Sequence, residues 1–376
     1  MAATEPYVTR QTVAELVACS PKRGEMASVT LSEVDRIAGD GTRILDKMSL
    51  SVADGELMVI VGPSGSGKTS VIRAIAGLDE VASGSVLFDA EDVTKVEVRD
   101  RDVGIVFQSH ALFPTYSARD NVGFPLRIRS MDKVSIRKRV DAEARALGID
   151  QVMEQWPRQL SAGHQQLVQI ARALVRVPNV LLLDEPMANL DQPTRKRLRQ
   201  DLKELQRGYG VTTVYATNDP VEAMYMADRI AAIENGRLVQ VGTPGELYTR
   251  PTDVNIAWLT GPISFLDADV TRDSDGYWLR GDGFRIRAWS PELASHVGSA
   301  VRLGLRPDGL RIAPESAIVA TVVAPSFDSG TPVTRVKVSD AVITLRELET
   351  DRGTEVRVAI ESYLIFGGDG RLVAAV

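Results

Sequence analysis

The chain has 376 residues, enough for two or three domains, and its 44% hydrophobic content allows a sizeable core. A formal net charge of −6 argues against binding to the phosphate backbone of nucleic acid, so we expect no nucleic-acid partner. Cys19 is the single cysteine, which excludes an internal disulfide and fits a reducing cytoplasm, and we expect neither a membrane-spanning segment nor a signal peptide.

The first 25 residues are polar and of mixed charge. Pro21 and Gly24 interrupt any helix begun before them. We expect residues 1–25 to be a loose tail or an artefact of the chosen start codon. A docking arm for a partner is the less favoured alternative.

Residues 26–61 predict a small β layer, with Asp54-Gly55 as a hairpin turn. The apolar run Leu57–Val61 predicts a buried strand, and residues 70–77 predict a helix closed by glycine. Between the two lies a full match to the P-loop pattern GxxxxGK[ST]. The candidates for nucleotide contact are Gly62, Pro63, Ser64, Gly65, Ser66, Gly67, Lys68, Thr69 and Ser70.

This layout suits a phosphate chain. Glycines let successive N–H groups point at phosphate oxygens, and the positive end of the following helix adds to the attraction. Lys68 is expected to reach the β- and γ-phosphates, and the Thr69 hydroxyl to hold Mg²⁺. A glycine-rich loop that binds nothing is the alternative.

The next segment alternates strands with helices. Residues 85–88 and 103–107 predict strands, and Gln108 follows the second strand directly. Residues 109–158 read as a helical insert in a nucleotide-binding core, with one helix over 135–147. A further helix is expected to begin at Ser161, which is a plausible N-cap.

The apolar run 180–183 runs into Asp184 and Glu185, which predicts a buried parallel strand that delivers two carboxylates at its carboxyl end. A helix over 194–207 and a strand over 211–216 follow, and Asn218 stands just after that strand. Residues 229–233 predict another strand that turns at Glu234-Asn235-Gly236.

After about residue 260 the pattern becomes all-β, with short strands between Asp-Gly and Gly-Asp turns. Gly261-Pro262 is the candidate boundary. We therefore expect an α/β P-loop domain over residues 26–260, followed by a small barrel-like β domain over 261–376.

These motifs together resemble the ATP-binding subunits of ABC transporters, and among them the maltose-type importer subunits. Beside the P-loop, Val106-Phe107-Gln108 resembles the Q-loop, and Leu160-Ser161-Ala162-Gly163-His164 resembles the signature motif LSGGQ. The run ending in Asp184-Glu185 resembles Walker B, and Asn189-Leu190-Asp191 resembles the D-loop. Residues 240–248 and 303–307 resemble the linker and the accessory OB/TOBE-type β domain of sugar-importer subunits.

The resemblance implies ATP and Mg²⁺ as cofactors. It places Thr69, Gln108 and Asp184 around the metal. It implies that Glu185 polarises the attacking water molecule. Asn218 would contact the γ-phosphate from the switch position. Ser161, Gly163 and His164 would complete the site of the opposite subunit.

The resemblance also implies partners: a second ATP-binding subunit, identical or not, and two transmembrane permease subunits. An extracytoplasmic substrate-binding protein would act indirectly. The insert would dock a permease, and the chain would lie peripherally on the cytoplasmic face of the cell membrane. The cargo would be a sugar or a related polyol.

The chain departs from the family pattern in several places. Asn218 stands where histidine is usual, and Ala162 and His164 replace a glycine and a glutamine of the signature. No aromatic residue for stacking on adenine lies between Met26 and the P-loop, where Arg36 and its neighbours stand. Three hypotheses follow: an importer motor, whose rate these departures would reduce, a weakly hydrolysing half of a heterodimer, and a nucleotide-switched regulatory module.

Overall fold

The computed structural model describes residues 27–108, 112–328, 331–346 and 351–376. The predicted tail lies outside this part of the chain. The chain divides into two compact units, the first ending at Pro244 and the second spanning Gly245–Val376. Each unit has hydrophobic clusters of its own.

The first unit contains two sheets. An antiparallel sheet has the order β2-β1-β4-β5, and a six-stranded sheet has the order β10-β9-β3-β8-β7-β6. The strands are β1 Val29–Ile37, β2 Arg43–Val52, β3 Leu57–Val61, β4 Ser83–Phe88, β5 Glu91–Asp92, β6 Val103–Val106, β7 Val180–Asp184, β8 Thr212–Thr217, β9 Arg229–Glu234 and β10 Arg237–Gly242.

The helices of the first unit follow the sequence signals closely. The described helices are α1 Lys68–Ala76, α2 Ala118–Ile128, α3 Lys133–Ala146, α4 Ala162–Leu174, α5 Gln192–Tyr209 and α6 Pro220–Met226. Gly77 ends α1 in the left-handed conformation, and Ser161 accepts a hydrogen bond from the His164 N–H at the start of α4. The predicted glycine stop and the predicted N-cap are therefore confirmed.

The six-stranded sheet is mainly parallel. β3 pairs in parallel with β8 and β9, and β7 pairs in parallel with β6 and β8. Every residue of β3 and β7 is buried. This confirms the prediction that these two apolar runs are buried strands, because a strand covered on both faces has no polar side to alternate with.

The predicted hairpin at Asp54-Gly55 is wrong. A turn does occur there, but it joins β2 of the antiparallel sheet to β3 of the parallel sheet. Both edges of β3 are already occupied by β8 and β9, so β2 has no free edge to pair with. The Asp-Gly signal specifies the turn and carries no information about which strands pair.

The segment between β6 and β7 contains the predicted helical insert. α3 covers most of the predicted helix 135–147, and Val140, Ala144 and Leu147 are buried as expected. α2 was not predicted, because Gly123 and Pro125 lie inside it and weaken the helical pattern. α2 contacts both α3 and α4, so the insert packs as a group of helices.

The second unit begins with two short helices, α7 Pro244–Thr249 and α8 Val254–Leu259. The predicted boundary at residue 260 lies after both of them. Backbone hydrogen bonds explain why α8 belongs with the β strands: Val254 N–H donates to Gly370 O, and Leu372 N–H donates to Thr252 O.

Two antiparallel sheets make up the rest of the second unit, with the orders β13-β12-β11-β14-β20-β21 and β15-β19-β16-β17-β18, and side chains from both share one hydrophobic cluster. The strands are β11 Ser264–Asp273, β12 Gly276–Gly281, β13 Phe284–Ala288, β14 Ala300–Leu305, β15 Leu310–Ile312, β16 Val319–Asp328, β17 Thr331–Val338, β18 Ala341–Arg346, β19 Glu355–Ile360, β20 Leu364–Phe366 and β21 Leu372–Ala375. In the described residues, no helix is both long and apolar enough to cross a membrane.

Candidate functional site

The carboxyl ends of parallel strands bring most of the predicted site residues to one edge of the sheet. β3 and β8 end in register at Val61 and Thr217, and β7 reaches the same level at Asp184. β6 ends beside β7. Ligands of open α/β sheets bind at this edge. The residues that follow these strands are Gly62, Gln108, Glu185 and Asn218.

The P-loop backbone requires its glycines. Gly65 and Gly67 have φ values of 81° and 106°, which side chains other than hydrogen disfavour. A Cβ on Gly62 would lie 2.2 Å from the Ile233 carbonyl oxygen. α1 begins at Lys68, and the first N–H groups of a helix have no acceptor one turn earlier. The loop therefore presents unpaired donors at a positive helix end.

Lys68 is buried under this loop. Its Nζ donates to the carbonyl oxygens of Gly62 and Pro63, each at 2.9 Å. Burial lowers the pKa of Lys68, while Glu185 and Asp184 oppose that shift. The Ser66 hydroxyl is also buried, and it has no hydrogen-bond partner among the described residues. Ser64 is exposed, whereas Ser70 is buried. The loop thus combines the hydrogen-bonded ammonium group of Lys68 with the Ser66 hydroxyl, which lacks a hydrogen-bond partner among the described residues.

Thr69 and Asp184 form an oxygen pair beside Lys68. The Thr69 hydroxyl donates to Asp184 Oδ1 at 3.1 Å. Asp184 is buried, and burial raises the pKa of its carboxyl, although Thr69 and the cations Lys68 and Arg73 oppose the rise. A buried carboxylate next to a hydroxyl is a donor set suited to a hard cation.

Glu185 lies in the left-handed region, with φ 46°. Its N–H donates to Ala216 O, which fixes the residue against the end of β8. Gln108 Nε2 donates to Glu185 Oε2 at 3.1 Å, and Asn218 Nδ2 donates to Oε1. Burial raises the pKa of the Glu185 carboxyl, with Lys68 as the main opposing charge. The side-chain amides of Gln108 and Asn218, which follow different strands, therefore orient the Glu185 carboxylate.

Sequence reasoning missed Glu222, a buried carboxyl group that binds the end of β8 just before Asn218. Glu222 is 3% exposed and accepts hydrogen bonds from Tyr215 OH at 2.6 Å and from Thr217 Oγ1 at 2.7 Å. Asp219 caps α6 by accepting from the Val221 N–H. The sequence signal was available: Asp219 before Pro220 marks a helix start, and Glu222 follows in its first turn.

The predicted signature residues lie elsewhere in the first unit. Ser161 Oγ accepts from the His164 N–H at 3.2 Å and lies 3.1 Å from His164 Nδ1. Ser161, Gly163 and His164 line a cavity of about 320 Å³ together with α5 residues that include Arg197 and Asp201. This cavity is distinct from the P-loop edge, so the structure does not bring the two groups together within one chain.

The position without an aromatic residue is occupied by an ion pair. Arg36 Nε lies 2.7 Å from Asp79 Oδ2, and Arg36 Nη1 lies 3.5 Å from Ser70 Oγ beside the P-loop helix. Asp79 also pairs with Arg73. A guanidinium therefore stands near the P-loop where the family pattern has a ring.

Comparisons with known proteins show the family. A family model described as ABC transporter matches residues 45–188. The trehalose/maltose import ATP-binding protein MalK of Thermococcus litoralis is 43% identical over 298 residues, which cover 76% of this chain and 79% of the relative. The sn-glycerol-3-phosphate import ATP-binding protein UgpC of Roseobacter denitrificans is 39% identical over 297 residues, which cover 79% and 82%.

Two solved structures each resemble a little more than half of the chain. A dimeric, post-hydrolysis ATP-binding cassette bound to ADP and Pi has 31% identity and a TM-score of 0.53, covering 57% of this chain and 98% of that one. The protein cbiO1 of Clostridium perfringens, part of an ABC transporter complex, has 30% identity and a TM-score of 0.55, covering 58% and 90%. The chain therefore belongs to the ABC transporter family, in which it is an ATP-binding protein and an ATPase.

Proposed function

We propose that this chain is the ATP-hydrolysing subunit of an importer for a sugar or a related polyol. The names of its relatives, which import trehalose, maltose or sn-glycerol 3-phosphate, support the class of cargo. The observation that carries the proposal is the contact of Glu185 with both Gln108 and Asn218, at the sheet edge that also carries Lys68.

In this proposal the P-loop binds the triphosphate. The segment from Gly62 to Ser70 surrounds the phosphates, and Lys68 exchanges its two carbonyl acceptors for phosphate oxygens. The Ser66 hydroxyl gains the acceptor that it lacks. Arg36, next to Ser70, takes the place of the usual ring near the base, so stacking on adenine is weaker.

Thr69, Asp184 and Gln108 fit a magnesium ion. All three offer oxygen atoms, and Mg²⁺ prefers a few protein oxygens completed by phosphate and water. When bound, the ion neutralises charge that develops on the phosphates.

Glu185 positions the attacking water. Its carboxylate accepts one amide hydrogen from Gln108 and one from Asn218, which leaves its remaining lone pairs for a water molecule. Asn218 has no titratable proton, so it can hydrogen-bond the γ-phosphate but cannot transfer a proton to it. Rate enhancement then comes from the positioning of the water and from stabilisation of the charge that develops on the phosphates.

Family membership supports an assembly of several subunits. Ser161, Gly163 and His164 would complete the nucleotide site of a second ATP-binding subunit. Exposed apolar side chains on the insert, Ile128 and Val134, offer a surface for one of two permease subunits. The complex would lie on the cytoplasmic face of the membrane and receive cargo from an extracytoplasmic binding protein. The first unit would be the ATP-binding domain, and the second unit, which begins at Gly245 and not at the expected residue 261, would be a regulatory domain.

ATP hydrolysis by the full chain, assembled with its permease, tests this function. Glu185→Gln is expected to lower turnover by about 10²–10³-fold while ATP still binds, because the variant keeps the shape but loses the charge that polarises water. Glu91→Gln, the same change on an exposed strand, serves as the control. Failure of the native assembly to bind Mg·ATP would refute the proposal.

A weakly hydrolysing half of a heterodimer is the second candidate. Asn218 at the switch position and Arg36 in place of an aromatic residue favour it. If this site limits turnover, Asn218→His should raise the turnover rate several-fold, which corresponds to an activation barrier that is lower by about 1 kcal/mol. Equal hydrolysis at both sites of a purified homodimer would exclude this candidate.

A further inference from the structure

The second unit contains a cavity that the proposed ATPase does not use. Its volume is about 400 Å³, within the range of small-molecule sites. The residues that matter for its chemistry are Tyr248, Arg306, Asp308, Ser362 and Ala375. All of them belong to the second unit, so the cavity is a feature of that unit alone.

Arg306 supplies a buried cation at the cavity wall. It is 6% exposed, and its guanidinium stacks on the Tyr248 ring, with Cζ 3.8 Å from the ring centroid. Nε and Nη2 donate to neutral acceptors, which include the Tyr248 carbonyl oxygen and the Thr260 hydroxyl. Nη1 is buried and has no hydrogen-bond partner in the described part of the chain.

The Arg306 guanidinium has no direct anionic partner among the described residues, although the charge of Asp308 acts on it from farther away. Buried charges are normally paired, and a buried donor without an acceptor is rare in native proteins. No described carboxylate forms an ion pair with Arg306; the nearby Asp308 accepts a hydrogen bond from Tyr248 OH at 2.8 Å instead. An anionic group of a ligand would provide both the missing charge and the missing acceptor.

A second polar region lies beyond the phenol ring. Asp308 is exposed, and carboxylates accept hydrogen bonds from hydroxyl groups of polyols. The pKa of Tyr248 is raised to about 12 by burial and by Asp308, so its hydroxyl keeps its proton and continues to donate. The Ser362 hydroxyl is exposed on the same cavity. Leu364 and Ala375 add apolar wall.

We propose that this cavity binds a small phosphorylated polyol, with the phosphate at Arg306 and the hydroxyl groups at Asp308 and Ser362. A metal cation is disfavoured because the buried group at the wall is itself a cation. A neutral sugar would leave Arg306 without a direct anionic partner, and inorganic phosphate alone would leave the hydroxyl-binding region empty.

Because the site lies in the unit that we propose to be regulatory, we infer that its ligand regulates the ATPase. This inference rests on the proposed importer function. Phosphorylation of an imported sugar or polyol inside the cell produces a ligand of this class. Binding of that product to the second unit would report cargo supply to the ATPase.

Calorimetric titration of the full chain, with its P-loop saturated by Mg·ADP, tests the site directly. The probes are sn-glycerol 3-phosphate, glucose 6-phosphate, glycerol, glucose and inorganic phosphate. At least one phosphorylated polyol should bind about tenfold or more tightly than its neutral form and than phosphate. Equal binding of the neutral forms, or no binding of any probe, would overturn the proposal.

Variants locate the binding. Ala375→Trp fills the cavity from an exposed strand position and should abolish binding, and Asp308→Asn should weaken it severalfold. Ala300→Trp, the same change at an exposed position of β14 outside the cavity, is the matched control. Unchanged affinity in both cavity variants would place the ligand elsewhere and refute the site.

These measurements are independent of hydrolysis. Because the readout is binding of a phosphorylated polyol, a chain without ATPase activity could still satisfy the test. A functional ATPase could equally fail it. Arg306→Gln is left as a secondary variant, since loss of its buried hydrogen bonds would also lower stability.

Discussion

The P-loop edge and the signature end of the first unit differ in how completely they match the family pattern. At the P-loop edge, Lys68, Thr69, Asp184 and Glu185 all stand in place and contact one another or their neighbours. At the signature end, Ser161 caps α4 as expected, but His164 bonds back to it and Asp201 lies in the cavity behind. The P-loop and the acidic pair therefore match the family pattern, whereas the departures fall on Asn218 at the switch position and on groups that would face the base or another subunit.

Motif matches therefore report different kinds of constraint. Gly62, which we propose to lie against the phosphates, has backbone and side-chain neighbours that leave no room for a Cβ. A residue at an exposed helix start, such as Ala162, has room for substitution. The four predictions below probe this contrast, in order of decreasing effect.

Lys68→Ala should cause the largest loss. Its removal takes away the one cation buried at the loop, and kcat/KM for ATP should fall by about 10²–10³-fold. Steady-state ATP hydrolysis measures this loss. Lys95→Ala, an exposed lysine of the same unit, should leave the rate unchanged. Near-normal hydrolysis by the Lys68 variant would show that the P-loop lysine is not needed for ATP hydrolysis.

Gly62→Ala should destabilise the fold itself. The added methyl group would lie 2.2 Å from a backbone oxygen of β9, which cannot move aside without distorting the sheet. We expect the free energy of unfolding to fall by about 1–3 kcal/mol, measured by urea denaturation. Gly39→Ala is the control, because nothing lies within 4 Å of a Cβ there. Equal stability of both variants would show that the loop is more compliant than its geometry indicates.

Asp201 should make stability depend on pH at the signature end. Burial raises its pKa from 3.8 to about 6, although Arg197 opposes the shift. The folded chain then holds this proton more tightly than the unfolded chain, so stability falls as pH rises from about 4 to 6. Asp201→Asn should remove that fall and be more stable than the native chain by about 1–2 kcal/mol near pH 8.

Urea denaturation at both ends of this pH range measures the effect. Near the acid end, where the native carboxyl is protonated, the two chains should unfold at similar urea concentrations. Asp269→Asn, on an exposed strand position of the second unit, controls for the loss of one negative charge. A native chain whose stability does not fall over this range would mean that Asp201 is solvated.

His164→Gln should have the smallest effect. The N-cap bond uses the backbone N–H of residue 164, so it survives the change, and the free energy of unfolding should shift by less than about 0.5 kcal/mol. Turnover of the assembled complex should rise by a few-fold at most if the signature departure slows closure of the two subunits. Hydrolysis assays with Ala162→Gly beside it separate the two departures. A large loss of turnover would mean that His164 has taken on a role of its own.

Much of the first unit could be predicted from local sequence. The P-loop, the Ser161 cap, the Gly77 stop and the carboxylates after β7 are each encoded within a few neighbouring residues. Capping, left-handed glycines and buried apolar runs depend on the nearest turn or strand, so a single sequence is enough to find them. The same local rules placed Asp184 and Glu185 at a sheet edge.

Other features depend on contacts between segments that lie far apart in the sequence. The contacts of Glu185 with Gln108 and Asn218 require the order β8-β7-β6, and no local pattern specifies that order. The turn at Asp54-Gly55 was predicted, but its partner strands were not, because β3 was already flanked on both sides. The cavity around Arg306 draws its walls from segments between residues 248 and 375. Sequence alone therefore determined the short-range motifs and their chemistry, whereas tertiary packing decided strand order and the second-unit cavity, since these arise from contacts between residues far apart in the chain.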